Sequence, residues 1–135
     1  MNKVCLCCLL GVLMLGGVCP DVTAQEKPQY FVVCAWLRKR GDVSATQPIV
    51  SNVARASCRV KTPDGDVQVQ FSNFCEAFVV RRSGHDYVDG FSIFSYNTSD
   101  EAERNRIEFI ARYNNDNRNR DAYTVRDFRI LCDDR

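Results

Sequence analysis

Phe91-Ser92-Ile93-Phe94-Ser95-Tyr96-Asn97-Thr98-Ser99-Asp100-Glu101 holds a strand, a break and the first turn of a helix. Thr98 and Glu101 have the spacing of a capping box: the Thr98 hydroxyl takes the Glu101 amide, and the Glu101 carboxylate reaches back to the Thr98 amide. A helix therefore begins at Ser99. Ala102, Phe109, Ile110 and Tyr113 fall on one side of it, with Asp100 and Arg104, and Glu108 and Arg112, at pairing distance i,i+4 on the other. A second strand is expected at Ala122 to Leu131, with a bulge near Arg126-Asp127 where the alternation slips. The unit is strand, amphipathic helix, strand.

Working back, Tyr30 to Leu37 is an unbroken apolar run, the pattern of a central strand covered on both faces. Arg38-Lys39-Arg40-Gly41-Asp42 ends it as a charged turn, Val43 to Pro48 reads as a loop, and Val50 to Val60 alternates like a half-exposed strand. Thr62-Pro63-Asp64-Gly65-Asp66 is turn chemistry. Val67, Phe71, Phe74, Cys75, Phe78 and Val79 then fill the core positions of a helix over Val67 to Arg82, with Asp66 as N-cap and Gly84 near its C-cap. A loop from Ser83 to Asp89 leads to Phe91. The expectation is an α+β fold: a two-layer sandwich in one small domain, with about four strands and two helices packed mainly on one face.

The chain has 135 residues, 45% of them hydrophobic, which is enough for one core and too short for two. Its first part reads as a leader. Lys3 is followed by the apolar run Val4 to Val18, and Val22-Thr23-Ala24 offers small residues for cleavage after Ala24, giving a signal peptide 1–24 and a domain 25–135. At ~1.5 Å per residue the run spans roughly 22 Å, short of a ~30 Å bilayer core. Export to the periplasm or the medium is the expectation. A lipidated Cys19 would instead anchor the protein to a membrane, although Gly16 and Val18 stand where a lipobox has Leu and a small residue.

Eight cysteines divide evenly. Cys5, Cys7, Cys8 and Cys19 belong to the leader, while Cys34, Cys58, Cys75 and Cys132 remain, with two disulfides the expectation in an oxidising compartment. Three pairings are possible. The reading leans to Cys34 with Cys132 and Cys58 with Cys75, one joining the domain ends and the other closing a local loop. No Cys-x-x-Cys is present among the four, which disfavours a dithiol redox centre.

The formal charge of +1 survives removal of the leader and argues against nucleic acid as a partner. Lys27, Lys39 and Lys61 are the only later lysines, so the cations are mostly arginines, suited to bidentate anions. Arg38-Lys39-Arg40, Arg81-Arg82 and Arg118-x-Arg120 fall at element ends, where convergence would make a site for an anionic polymer such as the cell-envelope glycan. Arg106 projects toward the apolar face of its helix and would need an acidic partner. His85, the single histidine, would serve a hydrolase only with a free thiol, Cys75 or Cys34. Asn115-x-Asn117-x-Asn119-x-Asp121 has alternating oxygens but Arg120 and Arg126 where a calcium loop needs Gly and an acid, so no metal or cofactor is expected.

The strand, the helix opened by Glu101-Ala102-Glu103, and the strand up to Phe128 resemble half of a peptidoglycan-binding SPOR domain of bacteria. The likeness covers about 40 residues and is one of architecture only. The leading expectation rests on the leader, the four retained cysteines and the lack of a nucleophile, base and metal set: an exported, disulfide-stabilised domain that binds a glycan or another envelope protein without catalysis, with the thiol hydrolase and a structural subunit of an envelope complex as the alternatives.

Overall fold

A computed structural model describes residues 27–79, 81, 87–117 and 120–132. The expected leader with its expected cleavage site, and Cys19 with them, lie outside these residues. The fold is α+β: a mixed sheet and two helices in one small domain. Strand β1 (Gln29–Lys39) is its axis, paired antiparallel along one edge to β2 (Asp42–Val50) and β3 (Ala54–Ala56), and along the other to β4 (Tyr87–Tyr96). The short β5 (Tyr123–Thr124) runs parallel to β2. Helix α1 (Pro63–Phe78) lies between β3 and β4 in the chain, and α2 (Ser99–Asp116) follows β4.

The apolar run in β1 is buried on both faces, as its composition requires. Phe31, Val33, Ala35 and Leu37 pack with Val67, Phe71, Cys75 and Val79 of the α1 segment, together with Ile49, Phe128 and Ile130. Val32 and Cys34, pointing the other way, pack with Val50 and with Ala102, Phe109 and Ile110 of α2. The helices therefore sit on opposite faces of the sheet, not mainly on one. A central strand whose odd and even side chains are all apolar leaves two faces to cover, and one helix goes to each.

Several boundaries differ from the sequence reading. The segment from Val43 to Pro48 belongs to strand β2, not to a loop. Pro48 is compatible with it because Pro48 stands opposite Trp36, an even residue of β1. Val33 directs both its N–H and its C=O to Ser51, so it is the odd residues of β1 that bond toward β2 and no bond is lost at proline. Ser51, wholly buried, closes the ladder in an unusual way: its N–H donates to Val33 O, but its hydroxyl, not its carbonyl, accepts the Val33 N–H at 2.9 Å. The ladder is broken there, and the strand expected from Val50 to Val60 shrinks to β3.

Helix α1 starts at Pro63, four residues before the expected start, because proline suits the first helical position, where an N–H has no partner. Asp66 is not the N-cap; its carboxylate accepts from the Thr62 hydroxyl at 3.1 Å. The helix ends at Phe78, and Phe78 is 46% exposed where a core position was expected. Helix α2 begins at Ser99 as read, with Glu101 N–H donating to Thr98 Oγ1 at 3.2 Å. Its ion pair joins Glu103 and Arg106, not the expected i,i+4 partners. Strand β4 begins at Tyr87, inside the loop expected to reach Asp89, and Gly90 takes the left-handed φ of +68° at the bulge facing Ala35 and Trp36.

The expected strand from Ala122 to Leu131 is reduced to β5. Beyond it the chain is held by side-chain carboxamides, each of which carries a donor and an acceptor like a peptide group. Asn52 receives Phe128 N–H at 3.0 Å and donates to Phe128 O at 3.1 Å. Gln70 does the same for Leu131, at 2.8 and 3.1 Å. The Cys58–Cys132 disulfide, with Cα atoms 5.9 Å apart, ties the end of this segment. Packing explains the path: Phe128 enters the α1 cluster, its ring 4.8 Å from Phe71 and 5.7 Å from Phe74.

Candidate functional site

The feature with the dimensions of a site is a groove of about 280 Å³ between α2 and the even-numbered face of β1 and β4. Val32, Cys34, Phe94, Tyr96 and Phe109 give it an apolar lining; Asn105, Arg106, Glu108 and Arg112 give it polar walls. Phe94 stays 41% exposed on β4 and puts its ring at the mouth of the groove. Arg106 enters this apolar surroundings with its side chain only 19% exposed. Its partner is one helical turn back: Nε donates to Glu103 Oε2 at 2.9 Å and Nη2 to Oε1 at 2.8 Å. That fork holds the Glu103 carboxyl below its usual range and raises Arg106 further. Burial raises Tyr96, with Cys34 and Glu101 nearby adding to it.

At the far end of α2, Tyr113 packs edge-on to Trp36 with ring centroids 6.2 Å apart, and its hydroxyl donates to Thr46 O at 3.2 Å. These contacts fix the helix against the sheet and so hold the groove open. Sequence reasoning found the helix and the oddity of Arg106 but not the groove. The one local signal was Phe94, an aromatic on the strand face opposite Ile93.

The thiols do not form a catalytic pair. Cys34 and Cys75 are both free and buried, but on opposite faces of the sheet. Burial pushes each thiol up to about 12, with Glu76 adding to the effect at Cys75. Cys34, though it lines the groove, is 1% exposed and Cys75 0% exposed, and a thiol raised by burial in this way is a poor nucleophile. His85 lies outside the described residues. The disulfide expectation is corrected too. Cys58 pairs with Cys132, which takes the partner from both pairings leaned toward, Cys34–Cys132 and Cys58–Cys75, and leaves Cys34 and Cys75 free, each buried in its own apolar cluster.

The basic residues divide. Arg38 is half-buried and ion-paired, its Nε 2.6 Å from Asp89 Oδ2. Lys39, Arg40, Arg81 and Arg120 are exposed, while Arg82 and Arg118 lie outside the described residues. Arg38 stands opposite both Thr46 and Tyr87, and Tyr113 reaches Thr46, so the β1–β2 turn and the C-terminal end of α2 share one end of the sheet. The asparagine run serves the connection to β5: Asn114 Oδ1 accepts Ala122 N–H at 2.8 Å, and Asn117 Nδ2 donates to Tyr113 O at 3.0 Å. Among the described residues no group of three His, Cys, Asp or Glu is placed to hold a metal, and no helix is long and apolar enough to cross a membrane. The disulfide is the chemistry of an oxidising compartment.

No family model matches this chain, and no curated protein or solved structure is detectably similar to it.

Proposed function

We propose that this protein is a non-catalytic interaction domain of an oxidising, extracytoplasmic compartment, and that its binding surface is the flank formed by α2 and β4. The observation that carries this reading is the α2–β4 groove beside a sheet edge that, among the described residues, pairs with no further strand. Such an edge offers unpaired N–H and C=O groups, and the groove offers side-chain specificity beside them. Together these are the elements of strand-addition recognition. The buried, protonated thiols support binding over thiol chemistry.

The test is site-specific photo-cross-linking in the native compartment. A benzophenone amino acid replaces Phe94 in one variant and Arg55, exposed on β3, in another. The reading expects a discrete adduct of defined mass from position 94 and none of that mass from position 55. Equal, diffuse labelling from both positions would sink it.

A further inference from the structure

The partner chemistry that this flank fits is its own. We infer that the protein dimerises by antiparallel pairing of β4 with β4 of a second copy, about a two-fold axis at Ile93; this rests on the reading of the α2–β4 flank as the binding surface and names its occupant.

The direction of the peptide groups comes first. Because Val33 gives both its N–H and its C=O to Ser51, the odd residues of β1 aim toward β2 and the even residues toward β4. The register sets Tyr30, Val32 and Cys34 opposite Tyr96, Phe94 and Ser92, so those even residues of β4 bond to β1. Phe91, Ile93 and Ser95 consequently turn their N–H and C=O groups outward. An antiparallel strand must bond odd residues to odd, and a two-fold at Ile93 does this: Ile93 meets itself and Phe91 meets Ser95 twice. The sheets join with the α2 faces on the same side.

The side chains of the edge put nothing in the way. Phe91 to Tyr96 contains no charge and no proline, the devices that usually keep edges apart. Helix α2 then supplies charge complementarity. Glu101, Asn105, Glu108 and Arg112 are spaced i, i+4, i+7, i+11 along one flank of the helix, and the last three line the groove beside Phe94. Tyr113 packs at the level of Trp36, and Ala102 lies near the other end of β1, so the helix midpoint lies level with the middle of β4. The same two-fold therefore brings Glu101 toward Arg112 of the second copy and Asn105 toward its Glu108. With strands ~4.8 Å apart and α2 packed on β1 beside β4, the two helix axes come roughly 10 to 14 Å apart, within reach of the long side chains of Glu101 and Arg112. Glu108 and Arg112, expected to pair within the helix, form no ion pair with each other in the chain and are left for this contact.

The experiment is sedimentation equilibrium of the oxidised full chain from roughly 1 μM to 1 mM, with matched amide exchange. The expected species has twice the mass that the same preparation shows as a single chain under denaturing conditions. In it the amides of Phe91, Ile93 and Ser95 exchange slowly, and on dilution they speed up while Ser92 and Phe94 stay protected. Ser95→Pro removes an outward N–H and should weaken association at least tenfold. Ser95→Lys, which has no backbone effect, should weaken it too and guards against misfolding of the first variant. Arg112→Glu should weaken association, and adding Glu101→Arg should restore it. A monomer throughout the range, or a dimer indifferent to both Ser95 variants, overturns the proposal. A monomer that still yields a foreign adduct at position 94 overturns the dimer and leaves the interaction surface standing.

Discussion

Truncation of Asn52 tests how the irregular C-terminal segment is held. Asn52 carries two hydrogen bonds to the peptide groups of Phe128, and Phe128 is 3% exposed, so water cannot readily replace either bond once the carboxamide is gone. A fully buried orphan donor or acceptor costs about 1 to 3 kcal/mol; Asn52→Ala leaves one of each at a part-buried site, so the loss falls in the lower part of the doubled range, about 2 to 4 kcal/mol. Gln70 makes the same pair of bonds to Leu131, but Leu131 is 74% exposed and its peptide group can turn to solvent. Gln70→Ala should cost only about 0.5 kcal/mol. The assay is urea unfolding of the oxidised protein. At a slope of about 1.5 kcal/mol per M, Asn52→Ala should lower the midpoint by roughly 1.5 to 2.5 M and Gln70→Ala by less than about 0.5 M. Equal shifts from the two variants would refute the argument that burial, not bond count, sets the strength of these clips.

Four further outcomes follow from the same structure. Reduction of Cys58–Cys132, which spans 74 residues, should destabilise the protein by about 2 to 4 kcal/mol in urea unfolding monitored with and without reductant. Iodoacetamide should modify neither Cys34 nor Cys75 in the native oxidised protein and both after denaturation, read by peptide mapping; native labelling of either would contradict its burial. Both thiols titrate at an ordinary value of 9.0 in the unfolded chain and at about 12 in the fold. Their contribution is thus complete below pH 9 and lost as pH rises toward 12, by about 1.4 kcal/mol per thiol per pH unit. The loss is measured against a Cys34→Ala, Cys75→Ala variant. Ser51→Ala leaves the buried Val33 N–H without its acceptor and should cost about 1 to 3 kcal/mol by the same urea measurement, whereas Ser51→Thr, which keeps the hydroxyl, should recover part of it.

What was legible in the sequence was local or periodic. The Thr98 cap and the start of α2 depend on residues three apart, and the burial of β1 on both faces follows from an apolar run with no polar side to give to water. The α+β class and the two helices came from such signals. The tertiary structure alone decided the rest. Helix α1 could have covered either face of β1 as far as its own pattern goes; only the joint demand of two apolar faces sends the helices to opposite sides. Cysteine pairing joins positions 74 apart and depends on which face each thiol meets, so Cys34 and Cys75, each apolar in its own core, stay free while Cys58 and Cys132 meet at the domain's edge. The last strand failed as a reading for a similar reason: alternation predicts a ladder partner, but for Phe128 and Leu131 the partners are the side chains of Asn52 and Gln70, and nothing in a carboxamide's own sequence position says that it will stand in for a backbone. The groove belongs to the same class, since it is the space left between a helix and an edge strand whose separation is set by Tyr113, Trp36 and Ala102 packing across the sheet.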